Sequence, residues 1–225
     1  MKISNEKELA VIIPVFNEAK NLYQIIEDLS KTGVFIIVVD DGSSDESVAI
    51  CRKFSNLTVL KHHTNLGYVK ALNTGFEFAS TRSFEYVATF DADGQLQSKD
   101  LMKLLNKAKI EKSDLMIGYR NFKNRYSESL FATITRYFFS LNDPFCGLKL
   151  YKLDSIRNLL PFDKYNLIGA ELLFRSHRNQ LKIDQLPISV KRRSGASRFG
   201  NSLNGEIIIL IASIKIIFRF TRILR

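Results

Sequence analysis

The chain has 225 residues, 45% hydrophobic and 25% charged, which fits one large α/β domain or one domain with an extension and excludes repeat and low-complexity architectures. The formal net charge is +10, and the segment from Lys191 onward carries +7 of it, as eight Lys and Arg against one Glu. Such a charge requires an acidic partner: nucleic acid, an anionic membrane or a phosphorylated substrate.

Predicted strands and helices alternate along most of the chain. Apolar runs at 9–16, 35–39, 57–61, 86–90 and 115–119 predict buried strands, and amphipathic stretches at 18–30, 46–54, 69–79 and 99–109 predict helices. After residue 120 the alternation loosens, and we predict helices at 129–140 and 169–179 and strands at 147–151 and 183–190. The pattern is typical of a mostly parallel sheet flanked by helices.

The N-terminus and the cysteines indicate the compartment. Met1 to Leu9 is polar, and Pro14 interrupts the apolar run that follows, so no signal peptide is expected. Cys51 and Cys146 have neither C-x-x-C spacing nor neighbouring histidines, so we predict two buried thiols rather than a disulfide or a zinc site. We therefore expect a cytoplasmic protein.

Polar side chains follow three of the predicted strands. They are Asn17-Glu18, Asp40-Asp41 and the segment Asp91-Ala92-Asp93-Gly94-Gln95. Because open α/β sheets bind ligands beyond the carboxyl ends of their strands, we expect the three segments to meet at one site.

Asp91, Asp93 and Gln95 form a candidate metal site. Residues two apart in an extended or turning backbone project to the same side, so both carboxylates can reach one cation, with Gln95 as a neutral oxygen ligand. The set suits Mg²⁺ or Mn²⁺. The alternative is an ordinary Asp-rich turn. The sequence lacks both G-x-x-x-x-G-K-[ST] and a G-x-G-x-x-G after the first strand, so a metal and arginines are expected to handle phosphate.

Four segments together carry a family resemblance. They are Val11-Ile12-Ile13-Pro14-Val15-Phe16-Asn17-Glu18, Val38-Val39-Asp40-Asp41-Gly42-Ser43-Ser44-Asp45, Asn65-Leu66-Gly67 and Asp91-Ala92-Asp93-Gly94-Gln95. In this order and spacing the chain resembles glycosyltransferase family 2 over about residues 8–200, and the Gln of D-x-D-x-Q looks most like the dolichyl- or polyprenyl-phosphate sugar synthase branch. The resemblance implies a GT-A fold and a nucleotide-diphosphate sugar donor.

By position in these motifs, Pro14, Phe16, Glu18 and Asp41 are expected to line the pocket for the base and ribose, next to Asp91. An aromatic ring can stack on a base, and a carboxylate can accept hydrogen bonds from a base or a ribose. The branch often has Tyr where this chain has Phe16, which leaves stacking alone. For Glu18 and Asp41 the alternative role is helix capping.

His62 and His63 precede Asn65-Leu66-Gly67. Adjacent loop residues point in divergent directions, so we interpret them as loop residues near the nucleotide rather than as metal ligands.

Arginines and a serine follow the fifth and last predicted strands. Arg192-x-x-Gly195-x-Ser197-Arg198 is similar to the R-x-x-G-x-S-K element of the same branch, in which Arg and Ser bind phosphate. We expect Arg192, Ser197 and Arg198 to bind phosphate or acceptor, together with Arg120. The alternative is a solvated basic tail.

Two acidic residues lie in further segments that resemble the branch. Asp143 begins a D-x-x-x-G-[FL]-[RK] pattern that ends at Lys149, and Glu171 lies in a predicted helix. With Asp93 they are candidate catalytic residues, for positioning the acceptor or acting as general base. Alternatively, Asp143 and Glu171 cap a helix or pair with Arg136 or Arg175.

The segment 203–225 is apolar but interrupted by charges. In a helix, Lys215, Arg219 and Arg222 fall on one stripe, which suits an amphipathic helix on an anionic membrane better than a spanning one. A core-packing helix and a partner contact are the alternatives. We therefore divide the chain into a GT-A domain at 8–200 and a basic helix at 201–225.

These observations predict a metal-dependent, inverting glycosyltransferase on the cytoplasmic face of a membrane. It would move a sugar from a nucleotide diphosphate to a polyprenyl phosphate, with a membrane surface or a membrane protein as its partner and without nucleic acid. One alternative is a family 2 enzyme that acts on a hydroxyl of a glycan. Another is a non-catalytic nucleic-acid or membrane-binding protein.

Overall fold

The computed structural model describes residues 8–121, 126–165, 167–191 and 203–221. Seven strands form one sheet: β1 (Leu9–Val15), β2 (Phe35–Asp40), β3 (Leu57–Lys61), β4 (Tyr86–Thr89), β5 (Leu115–Arg120), β6 (Lys149–Lys152) and β7 (Ile183–Ile188). The helices are α1 (Ala19–Ser30), α2 (Ser47–Cys51), α3 (Tyr68–Ser80), α4 (Ser98–Glu111), α5 (Tyr126–Phe139), α6 (Leu153–Ile156), α7 (Glu171–Arg178) and α8 (Leu203–Thr221).

The strand order is β3-β2-β1-β4-β6-β5-β7. All neighbouring pairs are parallel except those of β6, which runs antiparallel to both β4 and β5. The predicted mostly parallel sheet is confirmed. The antiparallel insertion of β6, and the short α6 with the 3-10 turn that follows it, were not predicted, because the four residues of β6 include two lysines and a segment this short gives no indication of strand direction.

Both faces of the sheet are covered, which is why β1 and β2 are apolar without alternation. Val11 and Ile13 face the layer formed by α1, α2 and α4, while Ala10 and Ile12 face the layer of α3, α5, α7 and α8. Each layer encloses its own apolar core. A fully buried β1 therefore holds the residues that follow it in a fixed position at the edge of the sheet.

The C-terminal helix α8 belongs to the second core. Ile216 and Phe220 are buried, and the Phe220 ring lies 5.4 Å from that of Phe174 in α7. The opposite side of α8 exposes Leu210, Ile214 and other large apolar residues. One side of α8 thus packs in the core, and its opposite side is apolar and exposed. In the part of the chain that the structure describes, no helix has the length and hydropathy needed to span a membrane.

Both cysteines are free and buried, as predicted. Burial raises the pKa of Cys51 to about 11 and that of Cys146 to about 12, with Asp40 and Asp143 adding to the respective increases. Neither thiol ionises near neutral pH, so both act as small apolar side chains.

Candidate active site

The polar segments after β1, β2 and β4 meet at one edge of the sheet. The three strands are neighbours and parallel, in the order β2-β1-β4, so their carboxyl ends lie side by side. The expected convergence of the three segments is therefore present in the fold.

Asn17 joins the first two segments. Its side-chain oxygen accepts the backbone N–H of Ser44 at 2.9 Å and that of Asp45 at 3.3 Å, and its own φ is 54°. Asp45 in turn accepts the N–H of Ala19 at 3.0 Å. Burial raises the pKa of Asp45, but hydrogen bonds from Ser47 and Ala19 outweigh that effect and leave the pKa below its usual value. The loops after β1 and β2 are thus held together by hydrogen bonds.

Asp41 is buried and organises the start of α3. Its Oδ1 accepts the N–H of Leu66 at 2.9 Å, and its Oδ2 accepts that of Gly67 at 2.8 Å. His62 Nδ1 lies 2.7 Å from the same Oδ1. Each carboxylate oxygen can accept two hydrogen bonds, so Oδ1 is filled by these protein donors and Oδ2 has room for one more hydrogen from a ligand.

His62 has a defined role that the sequence did not reveal. Because a carboxylate only accepts, Nδ1 of His62 is the donor to Asp41, and Nε2 lies 3.0 Å from the hydroxyl of Thr74, which can accept or donate. His63 is exposed. The two histidines are near the predicted nucleotide edge, and His62 holds the carboxylate that was expected to bind the nucleotide.

The three other residues predicted to line the base pocket differ in exposure. Phe16 is 44% exposed at the end of β1 and Glu18 is half-buried at the start of α1, whereas Pro14 is buried inside β1. Pro14 is tolerated there because β4 pairs with β1 only as far as Ile12, so no partner needs its missing N–H. The exposed aromatic face of Phe16 is the surface available for stacking.

Asp91 sits in a fitted recess. The hydroxyl of Tyr68 donates to its Oδ1 at 3.0 Å. A Cβ on Gly147 would lie 2.0 Å from Oδ2, so only glycine leaves room for this carboxylate. The motifs contained Gly147 but not Tyr68, and they gave no reason to place either residue against Asp91, because the contacts connect three distant segments.

Lys149 lies buried behind this recess. It occupies the middle of the sheet, opposite Thr89 of β4 and Ile117 of β5, and is only 3% exposed. Burial lowers its pKa, and the nearby carboxylates of Asp91 and Asp143 act in the opposite direction without outweighing burial. This position beside two carboxylates was missed from the sequence because Lys149 was considered only as part of a motif.

Asp93 and Gln95 complete the predicted metal set. Asp93 is 7% exposed, and its Oδ1 accepts the N–H of Gln95 at 3.0 Å across Gly94, whose φ is 79°. The Gln95 amide nitrogen approaches the carbonyl of Lys191 at 3.4 Å. Two carboxylates and an amide oxygen are donors that suit Mg²⁺ or Mn²⁺, and the recess beside Gly147 fits such a site. Among the described residues no cluster of three or more His, Cys, Asp and Glu is positioned to bind a metal.

Arg120 and Asp143, predicted separately as phosphate-binding and catalytic residues, form a buried ion pair. Arg120 donates from Nε at 2.8 Å and from Nη2 at 3.1 Å to the two carboxylate oxygens, and Nη2 also reaches Glu128 at 3.2 Å. Burial lowers the pKa of Arg120, but the bond to Asp143 outweighs this effect and raises it overall. Among the alternatives for Asp143 was an ion pair with Arg136 or Arg175, and the ion pair that the structure shows is with Arg120 instead.

Glu171 is fully buried at the start of α7 and binds protein groups. Oε2 accepts the N–H of Lys164 at 2.8 Å and that of Tyr165 at 2.7 Å, and Oε1 lies 3.2 Å from Arg175 Nε. Burial and the neighbouring Asp163 carboxyl raise the pKa of Glu171. Of the roles considered for Glu171, these contacts match the pairing with Arg175. Glu171 also holds the backbone of the 163–165 segment through the N–H groups of Lys164 and Tyr165.

The remaining predicted residues, Arg192, Ser197, Arg198 and Arg222, lie outside the described residues.

The family model for glycosyl transferase family 2 matches residues 10–160. The chain belongs to this family. That membership makes it a glycosyltransferase and excludes the non-catalytic interpretation. An uncharacterized protein of Methanocaldococcus jannaschii is 31% identical over 70% of this chain and 77% of its own length. The dodecaprenyl-phosphate galacturonate synthase of Rhizobium johnstonii is 26% identical over 95% of this chain and 68% of that enzyme.

A solved structure shares the fold. Glucosyl-3-phosphoglycerate synthase from Mycobacterium tuberculosis, in complex with Mn²⁺, uridine diphosphate and glucosyl-3-phosphoglycerate, has a TM-score of 0.74 and 18% identity, covering 96% of this chain and 80% of that one. The fold is therefore GT-A, as expected. The relatives also support the expected resemblance to the polyprenyl-phosphate sugar synthase branch.

Proposed function

We propose that this glycosyltransferase is metal-dependent and inverting, and that it transfers a sugar from a nucleotide diphosphate to a polyprenyl phosphate. We use the term Asp41 clamp for the Asp41 carboxylate with the N–H groups of Leu66 and Gly67 that it accepts. The observation that carries the proposal is the edge of the sheet where Asp91 and Asp93 adjoin this clamp. The proposal draws further support from a relative that is named for a dodecaprenyl-phosphate sugar and from a structural neighbour that contains Mn²⁺ and uridine diphosphate.

On the donor side, Phe16 stacks on the base, and Asp41 Oδ2 accepts one hydrogen bond from the base or ribose. Glu18 and Pro14 complete the pocket, Glu18 by its charge and Pro14 by fixing the end of β1. The clamp makes this arrangement rigid before the donor arrives, because Asp41 is already oriented by two backbone N–H groups and His62.

Asp91, Asp93 and Gln95 are the residues that would hold Mg²⁺ or Mn²⁺. When bound, the cation neutralises the diphosphate leaving group. Tyr68 and Gly147 keep the Asp91 carboxylate in place.

On the acceptor side, a lipid phosphate is already anionic near neutral pH, so it needs positioning more than it needs a base. We assign the positioning to Arg192, Ser197 and Arg198, with the Arg120–Asp143 pair as the rigid base of the acceptor site. Direct attack by the phosphate oxygen on the anomeric carbon, opposite the departing diphosphate, inverts that centre. In this scheme Glu171 supports the 163–165 segment rather than removing a proton.

We further propose that the enzyme is peripheral on the cytoplasmic face of a membrane. The helices α5 and α8 are in contact, and both expose apolar and basic side chains. The exposed apolar residues include Leu130, Tyr137, Phe138, Ile207, Leu210, Ile214 and Phe218, and the exposed basic residues include Arg136 and Lys215. Such a surface suits an anionic leaflet, and it accounts for positive charge without a nucleic-acid partner.

The test is a transfer assay with the full chain, Mn²⁺ or Mg²⁺, a panel of nucleotide sugars and an undecaprenyl phosphate. We expect a lipid-linked sugar with an inverted anomeric centre, and a roughly 10²- to 10³-fold loss of kcat in Asp91→Asn. Asp154→Asn is the control, because Asp154 is an exposed carboxylate. An Asp91→Asn enzyme as active as the wild type would refute the metal role.

The second candidate is transfer to a hydroxyl of a glycan, which the buried Glu171 favours if it acts as general base. Product formation only with a hydroxyl acceptor, together with a loss of about two orders of magnitude or more in Glu171→Gln, would replace the lipid phosphate by this alternative.

A further inference from the structure

A large groove lies beside the candidate active site. Its volume is about 1070 Å³, and its walls are α3, residues 160–165 with 167–168, and α8. We call it the α3–α8 groove. A volume of this size is at the upper end of small-molecule sites, and none of the proposed roles above uses it.

One end of the groove opens at the candidate active site. Leu66, Gly67 and Tyr68 line this end. The N–H groups of Leu66 and Gly67 are held by Asp41, and the Tyr68 hydroxyl donates to Asp91 at 3.0 Å. A molecule lying in the groove would therefore have one end close to the carboxylates that follow β4.

The lining suits an anionic amphiphile. More than half of the lining side chains are apolar or aromatic, among them Val69, Phe76, Leu160, Pro161, Ile168 and Ile211. Three lysines, Lys70, Lys164 and Lys215, line the groove against two carboxylates, Glu77 and Asp163, and that of Asp163 already accepts backbone N–H groups. A glycan would require many more hydrogen-bonding groups, whereas a hydrocarbon chain with a phosphate head matches both the apolar wall and the positive charge.

The outer wall joins the groove to the proposed membrane surface. Ile211 and Lys215 of α8 line the groove, while Leu210 and Ile214 of the same helix are exposed outside it. A chain entering from a membrane against α8 would therefore pass from one apolar surface into another.

Hydrogen bonds hold the backbone of the wall formed by residues 160–165 and 167–168. Asn73 of α3 brackets the backbone of Asp163, donating to its carbonyl at 2.8 Å and accepting its N–H at 3.2 Å. The Asp163 carboxylate accepts the N–H groups of Leu167 and Gly169 at 2.9 Å each. The Arg219 guanidinium lies 3.3 Å from the centre of the Tyr165 ring, which connects this wall to α8. The groove is therefore largely formed before a ligand binds.

We propose that the α3–α8 groove holds the first part of the acceptor's prenyl chain, with the phosphate at the Tyr68 end. This inference rests on the proposed lipid-phosphate acceptor. The groove assignment makes α3 and α8 the elements that select the length of the prenyl chain. It also predicts how many isoprene units of the acceptor contact the enzyme.

The experiment compares prenyl phosphates of increasing length with the full chain in the same mixed micelles. The wild-type kcat/KM should rise with chain length and level off once the chain fills the roughly 18 Å of α3 between Tyr68 and Ser80. Ile211→Trp should lower kcat/KM for long acceptors about tenfold, because lost contact with even one or two methylene groups has an effect of that order. It should leave the shortest acceptor within about twofold of wild type.

Ile110→Trp is the matched control, because Ile110 is an exposed isoleucine of α4, in the layer on the other face of the sheet, and does not line the groove. It should behave as wild type with every acceptor. Equal kcat/KM for all chain lengths in the wild type, or equal losses for short and long acceptors in Ile211→Trp, would overturn the groove assignment while leaving lipid-phosphate transfer intact. Failure to use any prenyl phosphate would instead overturn the proposed function.

Discussion

The two halves of the candidate site are built differently. On the donor side, from β1 to β4, the polar residues are held mainly by backbone N–H groups of neighbouring loops, as Asp41 and Asp45 show. On the acceptor side, around β5 to β7, charged side chains of opposite sign take part as well as backbone N–H groups, as in Arg120–Asp143 and Glu171–Arg175. A carboxylate that backbone N–H groups hold requires only short loops of defined conformation. A buried ion pair is stable only while both charged partners are present.

The difference predicts distinct responses to mutation. A substitution on the acceptor side that removes one partner leaves a buried charge and reduces stability. A substitution on the donor side moves a ligand-binding group and reduces activity or donor affinity first.

Asp143→Ala should have the largest effect, a loss of about 3 kcal/mol in the free energy of unfolding, because it removes the carboxylate that pairs with the buried Arg120. Urea unfolding monitored by circular dichroism measures it. The control is Asp154→Ala, which removes an exposed partner of Arg157 and should cost less than about 0.5 kcal/mol. Similar losses in both variants would contradict the contrast between the two halves.

Gly147→Ala should lower kcat/KM about 100-fold while the protein stays folded, because the new Cβ displaces the Asp91 carboxylate. Transfer assays at several Mn²⁺ concentrations, alongside thermal melting, separate the two effects. Gly75→Ala is the control: its Cβ would lie 2.4 Å from Ile12 Cγ2 in the core, so it should lose stability yet keep the activity of its folded fraction. An active Gly147→Ala enzyme would show that the recess does not position Asp91.

His62→Ala should raise the KM for the nucleotide sugar about tenfold with little change in kcat, because Asp41 loses a buried hydrogen bond worth about 1.5 kcal/mol. His62→Asn, whose amide can donate in place of Nδ1, should recover part of the affinity. His63→Ala should match the wild type, since His63 is exposed. If both alanine variants raise the KM equally, Asp41 does not act through His62.

Glu171→Gln should have the smallest effect on the free energy of unfolding, and whether it stabilises or destabilises the protein depends on pH. The pKa of Glu171 is raised by burial, so its folded state binds a proton more tightly than its unfolded state. Its favourable contribution is complete below the ordinary carboxyl pKa of 4.5 and is lost as the pH rises through the folded value. Unfolding free energies of both proteins between pH 4 and 8 should therefore shift in favour of Glu171→Gln with rising pH. A constant difference across that range would argue against the raised pKa.

The sequence predicted the donor side better than the acceptor side. Strands β1 to β5 lie close to their predicted bounds because each is a continuous apolar run between polar turns. Beyond residue 120 the prediction was less complete. The direction of β6, the short α6 and the partner of Asp143 depend on contacts between residues far apart in the chain, which local patterns do not encode.

The sequence by itself determined the family, the mostly parallel sheet and the convergence of Asn17-Glu18, Asp40-Asp41 and Asp91-Asp93, because parallel strands bring the residues after them to one edge. Only the tertiary structure placed Gly147 against Asp91, His62 against Asp41 and α8 along the groove beside α3. Motifs record which residues follow a strand, while packing between distant segments determines what those residues touch.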